Sequence, residues 1–199
     1  MQRAWIRRVI FIKNGKLMLA KAKKCWMNVG LHGIWKVYYQ DKYSQNTGNI
    51  TMSELGSSMK VVLADTFSMY MQAHKYHFNV EGPDFSQYHK LFGKIYDELW
   101  QSVDAIAEHI RVLDEYVPFN YARLQELSTV EDDNKIPTAS TMIERLLDTN
   151  NKVIESVKQA LEQAKIANDE GLINFLGERL EVQGKHGWFL RASTKTNRA

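Results

Sequence analysis

His74-Lys-Tyr-His77-Phe-Asn-Val-Glu81-Gly-Pro-Asp84-Phe-Ser-Gln-Tyr-His89, running on through Lys90 to Val103 and into Asp104-Ala-Ile-Ala-Glu108, decides the fold of this chain. Gly82-Pro83 cannot continue a helix, so the stretch divides there. Asp84 is placed to cap a new helix, with Gln87 three residues on as the second half of a loose capping box. From Phe85 to about Leu113 only Gly93 weakens a helix. Phe92, Tyr96, Leu99, Val103, Ile106 and Ile110 recur every three or four positions, which is one buried stripe.

Four residues in this stretch are candidate metal ligands: His77, His89, Asp104 and Glu108. Asp104 and Glu108 are four residues apart and share a helix face. His89 and Asp104 lie fifteen residues apart on one helix, which at about 1.5 Å per residue is roughly 22 Å. Metal–ligand bonds are near 2 Å. Either no common site exists, or a second copy runs antiparallel and supplies the other half. A two-fold axis then makes two identical sites, each with histidines from one chain and carboxylates from the other.

The motif His-x-Tyr-His-Phe-Asn-Val-x-Gly-Pro-x-Phe, with a histidine twelve residues after His77 and then Asp-x-Ile-Ala-Glu, resembles the DNA-binding proteins from starved cells, the Dps mini-ferritins. Lys185-His-Gly-Trp188-Phe-Leu-Arg-Ala192 is similar to the end of their last helix, and the resemblance spans residues 56 to 193. It implies an all-α, ferritin-like four-helix bundle with short helices in its long crossover. It also implies an inter-subunit ferroxidase centre, iron as Fe(II) and Fe(III), peroxide as preferred oxidant, a hollow dodecamer built from two-fold dimers, and a ferric mineral core. His77, His89, Asp104 and Glu108 would be both ligands and catalytic residues.

Departures from the family pattern qualify this. Gly93 lies one turn after His89, where many relatives carry an Asp that helps hold a second iron, so the second metal position is in doubt. Asp97, a turn further on, points roughly to the same side. Phe78 follows the first ligand where the family often has Trp, and it would pack the site dry. His109 stands where Arg is usual and reads as a surface substitution. His74 shares a face with His77 and reads as packing or surface. Tyr76, Tyr88 and Tyr96 read as core, as does Trp188 near the bundle end. Asp169 and Glu170 open the fourth long helix. They serve as cap and first-turn acid, or line an acidic pore admitting Fe(II), as the resemblance implies.

Charge divides the chain. Residues 1–50 hold ten Lys/Arg against one acid, Asp41, for +9, while the rest holds sixteen against twenty-two, for −6. A basic extension over 1–55, a ferritin-like domain over 56–193 and a polar tail over 194–199 follow. In the extension, Val-Ile-Phe-Ile-Lys-Asn14-Gly15-Lys-Leu-Met-Leu reads as a β-hairpin, and polar residues 44–58 read as a linker. Arg3, Arg7, Arg8, Lys21, Lys23 and Lys24, with Trp5, Phe11, Trp26, Trp35 and Tyr38, are suited to contact phosphates and stack on bases. Equally, Met52-Ser-Glu-Leu reads like a natural start just ahead of the first helix, which would make residues 1–51 an upstream stretch.

Beyond the second helix, spacing predicts helices over Met59–Asn79, Asn120–Leu127, Ser140–Ala167 and Leu172–Ala192. No apolar run approaches the roughly 20 residues of a membrane span. The single Cys25 excludes an internal disulfide framework and suits a reducing cytoplasm. An ordinary ferritin is disfavoured, because its Glu-x-x-His occurs nowhere here. The alternatives are a DNA-compacting, nucleoid-associated protein with secondary or lost ferroxidase activity, and a helical scaffold whose site is dead.

Overall fold

The computed structural model describes residues 8–13, 16–21, 52–131 and 134–195. The chain divides into two compact units, Met1–Tyr43 and Ser44–Ala199. In the first, β1 (Arg8–Lys13) pairs antiparallel with β2 (Lys16–Lys21), in a register that sets Arg8 against Lys21 and Lys13 against Lys16. Asn14 and Gly15, read from the sequence as the hairpin's turn, lie outside the described residues. Arg3, Arg7, Lys23 and Lys24, and the aromatics Trp5, Trp26, Trp35 and Tyr38, also lie outside them.

Among its described residues the second unit has only helices: α1 (Met52–Asn79), α2 (Phe85–Val112), α3 (Tyr121–Leu127), α4 (Ala139–Ala167) and α5 (Glu170–Thr194). Helix α1 packs on α2 and on α4, α4 on α5, and the short α3 on α1. That is the four-helix bundle with one long crossover expected from the sequence. Among the described residues, no helix is long and apolar enough to cross a membrane.

Helix α1 begins seven residues earlier than spacing predicted, so the expected boundary at residues 55 and 56 falls inside it. Leu55 and Met59 are fully buried and draw the chain into the bundle. The Ser58 hydroxyl donates to the Glu54 carbonyl, and Lys60 pairs with Glu115 at 2.9 Å. Gly56 makes room for the Glu115 side chain, which would lie 2.7 Å from a Cβ at that position.

The α1–α2 break occurs where expected, with Gly82 at φ 115°, a left-handed value that suits glycine. The capping box does not form. Asp84 contributes its carbonyl to the Gln87 and Tyr88 amides, while its side chain makes no cap hydrogen bond. Asn120, Thr138 and Asp169 do cap with their side chains, starting α3, α4 and α5. Asn168 adopts the left-handed conformation between α4 and α5, so α5 starts at Glu170 rather than Leu172.

Two polar clusters fix the helices against each other. Buried Asp65 accepts from the Ser128 hydroxyl at 3.0 Å and from the Thr129 amide and hydroxyl at 2.7 and 3.0 Å, holding the crossover on α1. Arg179 of α5 clasps Glu98 of α2 with both guanidinium nitrogens, and His186 Nε2 lies 3.7 Å from the same carboxylate. Trp188 is a correction. It was expected in the core, yet it is 57% exposed, because α5 turns His186, Gly187 and Leu190 inward and leaves Trp188 on the outer side beside Phe189.

Candidate metal centre

The bundle separates two apolar stripes on α1 that spacing alone had merged. Leu55, Met59, Val62, Thr66, Met69, Ala73 and Tyr76 are buried in the core, as is Val80 just past the helix end. Phe67, Tyr70, His74 and His77 form a neighbouring, half-buried stripe turned toward α2. On α2 the matching stripe is His89, Gly93, Tyr96, Trp100 and Asp104. At about 100° per residue these five fall within a wedge of roughly 80°.

His77 and His89 meet across the α1–α2 break, their rings stacked at 3.7 Å between centroids with 24° between planes. Each is locked by the other's backbone. His77 Nδ1 donates to the His89 carbonyl at 2.8 Å, and His89 Nδ1 donates to the His77 carbonyl at 2.8 Å. A carbonyl can only accept, so both rings carry their proton on Nδ1. Nε2 of each ring is then the nitrogen left to offer a lone pair, the arrangement that presents imidazole to a metal. The Gly82-Pro83 turn makes this possible by returning α2 alongside the end of α1.

Aromatic rings surround the pair. His74 stacks on Tyr96 at 4.2 Å and on Phe78 at 4.5 Å, and its Nδ1 shares a 3.2 Å hydrogen bond with the Tyr70 hydroxyl. Tyr96 meets His77 edge-on at 5.0 Å, and Tyr70 lies 5.2 Å from the Trp100 ring. Spacing had marked His74 as surface or packing and gave no sign of the Tyr70–His74 link.

Asp104 and Glu108 are exposed on α2 and are not brought to the histidines. Among the described residues, no three His, Cys, Asp or Glu side chains within the chain could hold a metal ion together. The donor set suits iron chemically, since imidazole and carboxylate without thiolate take hard or borderline cations. Gly93 offers no ligand, and a side chain there would touch the His77 ring at 3.4 Å. His109 is not a free surface residue. Its ring lies 4.1 Å from Phe175, and burial pushes its pKa down against the opposing pull of Asp169 and Glu108. Asp169 spends its carboxylate on capping, accepting from the Leu172 amide at 3.1 Å, while Glu170 is exposed.

A family model for the ferritin-like domain matches residues 59–199. Over 131 residues the chain is 28% identical to a Bacillus anthracis protein called DNA protection during starvation protein 2, covering 65% of this chain and 89% of that one. It is 28% identical over 132 residues to an uncharacterized low temperature-induced protein of Nostoc, covering 65% of this chain and 74% of the relative. The X-ray structure of Dps from Thermosynechococcus elongatus superposes with a TM-score of 0.71 at 26% identity, over 73% of this chain and 92% of that one.

Proposed function

The chain belongs to the ferritin-like family as a Dps mini-ferritin, and from that premise we propose that it oxidises Fe(II) at a site shared between two copies and stores the ferric product, shielding DNA from oxidative damage. The observation that carries this is the His77–His89 pair, fixed in its ligating tautomer yet joined by no carboxylate among the described residues of its own chain. A second copy across a two-fold axis brings Asp104 and Glu108 to that pair and completes the donor set. Further two-fold dimers would close into a dodecamer, with Asp169 and Glu170 lining an entry for iron.

Fe(II) is the substrate. Imidazole nitrogens hold it in the reduced state, and carboxylates favour the higher charge of Fe(III), so the mixed set assists electron loss. With hydrogen peroxide, two Fe(II) give up two electrons, the O–O bond breaks, and two protons complete two waters. Pairing the electrons in this way keeps hydroxyl radical from forming. Tyr96 covers one side of His77, whereas Phe78, expected to pack the site dry, is 70% exposed and leaves that side for a second copy to cover. Mixing the protein with Fe(II) and limiting peroxide should consume close to two Fe(II) per peroxide with little hydroxyl radical trapped. One Fe(II) per peroxide with abundant radical would leave only uncatalysed chemistry.

The +9 charge of residues 1–50 favours a second reading, DNA binding through the extension, since a body of −6 per chain repels DNA. Affinity should then fall steeply with salt, with a log–log slope of several units. A chain lacking residues 1–51 should lose DNA binding and keep iron oxidation. Binding that is salt-independent or survives the deletion removes the extension from this role.

A further inference from the structure

We propose that Trp100 of each chain seats in the notch over Gly93 of a second copy, closing the neighbour's metal site beside His77. This rests on the shared site proposed above and goes beyond it, because it assigns a residue of the second copy that is not a ligand.

The register follows from the helix. If His89 faces Asp104 of the second copy across antiparallel α2 helices, the two-fold axis passes midway, between residues 96 and 97. Gly93 and residue 100 of the other copy are then offset equally from that axis and stand opposite each other. Both lie in the same wedge of α2 as His89 and Asp104. Within one chain they are seven residues apart, roughly 10 Å along the helix, so neither can fill the other's space.

The two positions are complementary in shape. Among the described residues, and apart from its own helix backbone, a Cβ built on Gly93 would meet only the His77 ring within 4 Å, which leaves a notch there. Trp100 is 52% exposed, and its ring centroid lies 5.2 Å from that of Tyr70. Phe78 and Phe85, at the end of the same face, are exposed as well. A whole aromatic side chain buries roughly 150–250 Å², and the half of Trp100 still exposed therefore leaves on the order of 100 Å² to cover, enough to favour such a notch. Seated there, it fills the position from which a carboxylate would reach a second cation. It also makes a dry wall over His77. The missing side chain at 93 and the large one at 100 are two halves of one contact, and the site they enclose holds one cation tightly.

A double-mutant cycle on self-association tests this. Gly93→Leu should weaken assembly of the full-length protein about ten- to hundredfold by overfilling the notch, without harming α2, because Leu favours helix over Gly. In the Trp100→Ala background the same change should cost little or strengthen assembly. Side chains two helical turns apart should not couple within one chain, so coupling must arise between copies. Additive effects would overturn the proposal. Crosslinking gives a second readout that does not depend on the Leu variant. In a Cys25→Ser background, Gly93→Cys chains mixed with Trp100→Cys chains should form disulfides between unlike chains far more readily than either chain alone. If they do not, while His89→Ala and Asp104→Ala chains still complement each other, the shared site stands and the Trp100 contact is wrong. If complementation fails too, the shared site fails first and this contact falls with it.

Discussion

A His89→Ala chain and an Asp104→Ala chain, each devoid of rapid Fe(II) oxidation alone, should regain it when unfolded together and refolded. Each homodimer lacks one half of both sites. A mixed dimer has one site with intact histidines and intact carboxylates, and one site with neither. At equal amounts half the dimers are mixed, so about a quarter of all sites should work, as two-fold symmetry dictates. Measured initial rates should therefore recover to about a quarter of the unmodified protein's. The physical basis is the roughly 22 Å between the two residues along α2, and a locked His77–His89 pair with no carboxylate partner among the described residues of its own chain. Dimers that form without any recovery of rate would show that the carboxylates of α2 do not complete the site.

The second large effect concerns stability. Glu98→Ala should destabilise the bundle by about 3 kcal/mol, because it strands a buried Arg179 guanidinium between α2 and α5. For a domain of this size that is a fall in Tm of roughly 10 °C. The same cluster sets a pH dependence. Burial pushes the His186 pKa down, more strongly than Glu98 raises it, and Arg179 and Lys185 push the same way as burial. The unfolded chain then binds that proton more readily than the folded one. Stability is held above the ordinary histidine value of about 6.5 and is lost as pH falls from there toward the lowered value. Melting temperatures between pH 7.5 and 5 should show this slope, and His186→Gln should flatten it. An unchanged slope, or a Glu98→Ala protein as stable as the parent, would contradict the reading of this cluster.

Which parts of the molecule were legible in advance follows from what each depends on. The Gly82-Pro83 break, the start of α2 at Phe85 and the bundle itself are local or periodic features, and the sequence carried them. The incompleteness of the site was also legible, because helical rise alone separates His89 from Asp104. The early start of α1 was hidden because Ser57, Ser58 and Gly56 look like linker, and only tertiary burial of Leu55 and Met59 overrides them. The two stripes on α1 merged because Phe67, Tyr70 and Tyr76 are equally apolar in sequence. Which of them faces α2 is decided by packing. The reciprocal Nδ1–carbonyl bonds and the Glu98–Arg179–His186 cluster join residues 12 and more than 80 positions apart, and no spacing rule encodes them. The capping box failed because Asp84 turns its carbonyl, not its side chain, to the new helix.

Native mass measurement of the full-length protein loaded with Zn(II), a redox-silent stand-in for Fe(II), tests the shared centre most directly. A site built from two chains predicts that dimers and larger even assemblies carry one tightly held zinc per chain, and that subunits released as monomers carry none. Monomers that keep a tightly bound zinc, lost on His77→Ala, would show that one chain holds the metal by itself and would contradict the two-fold site.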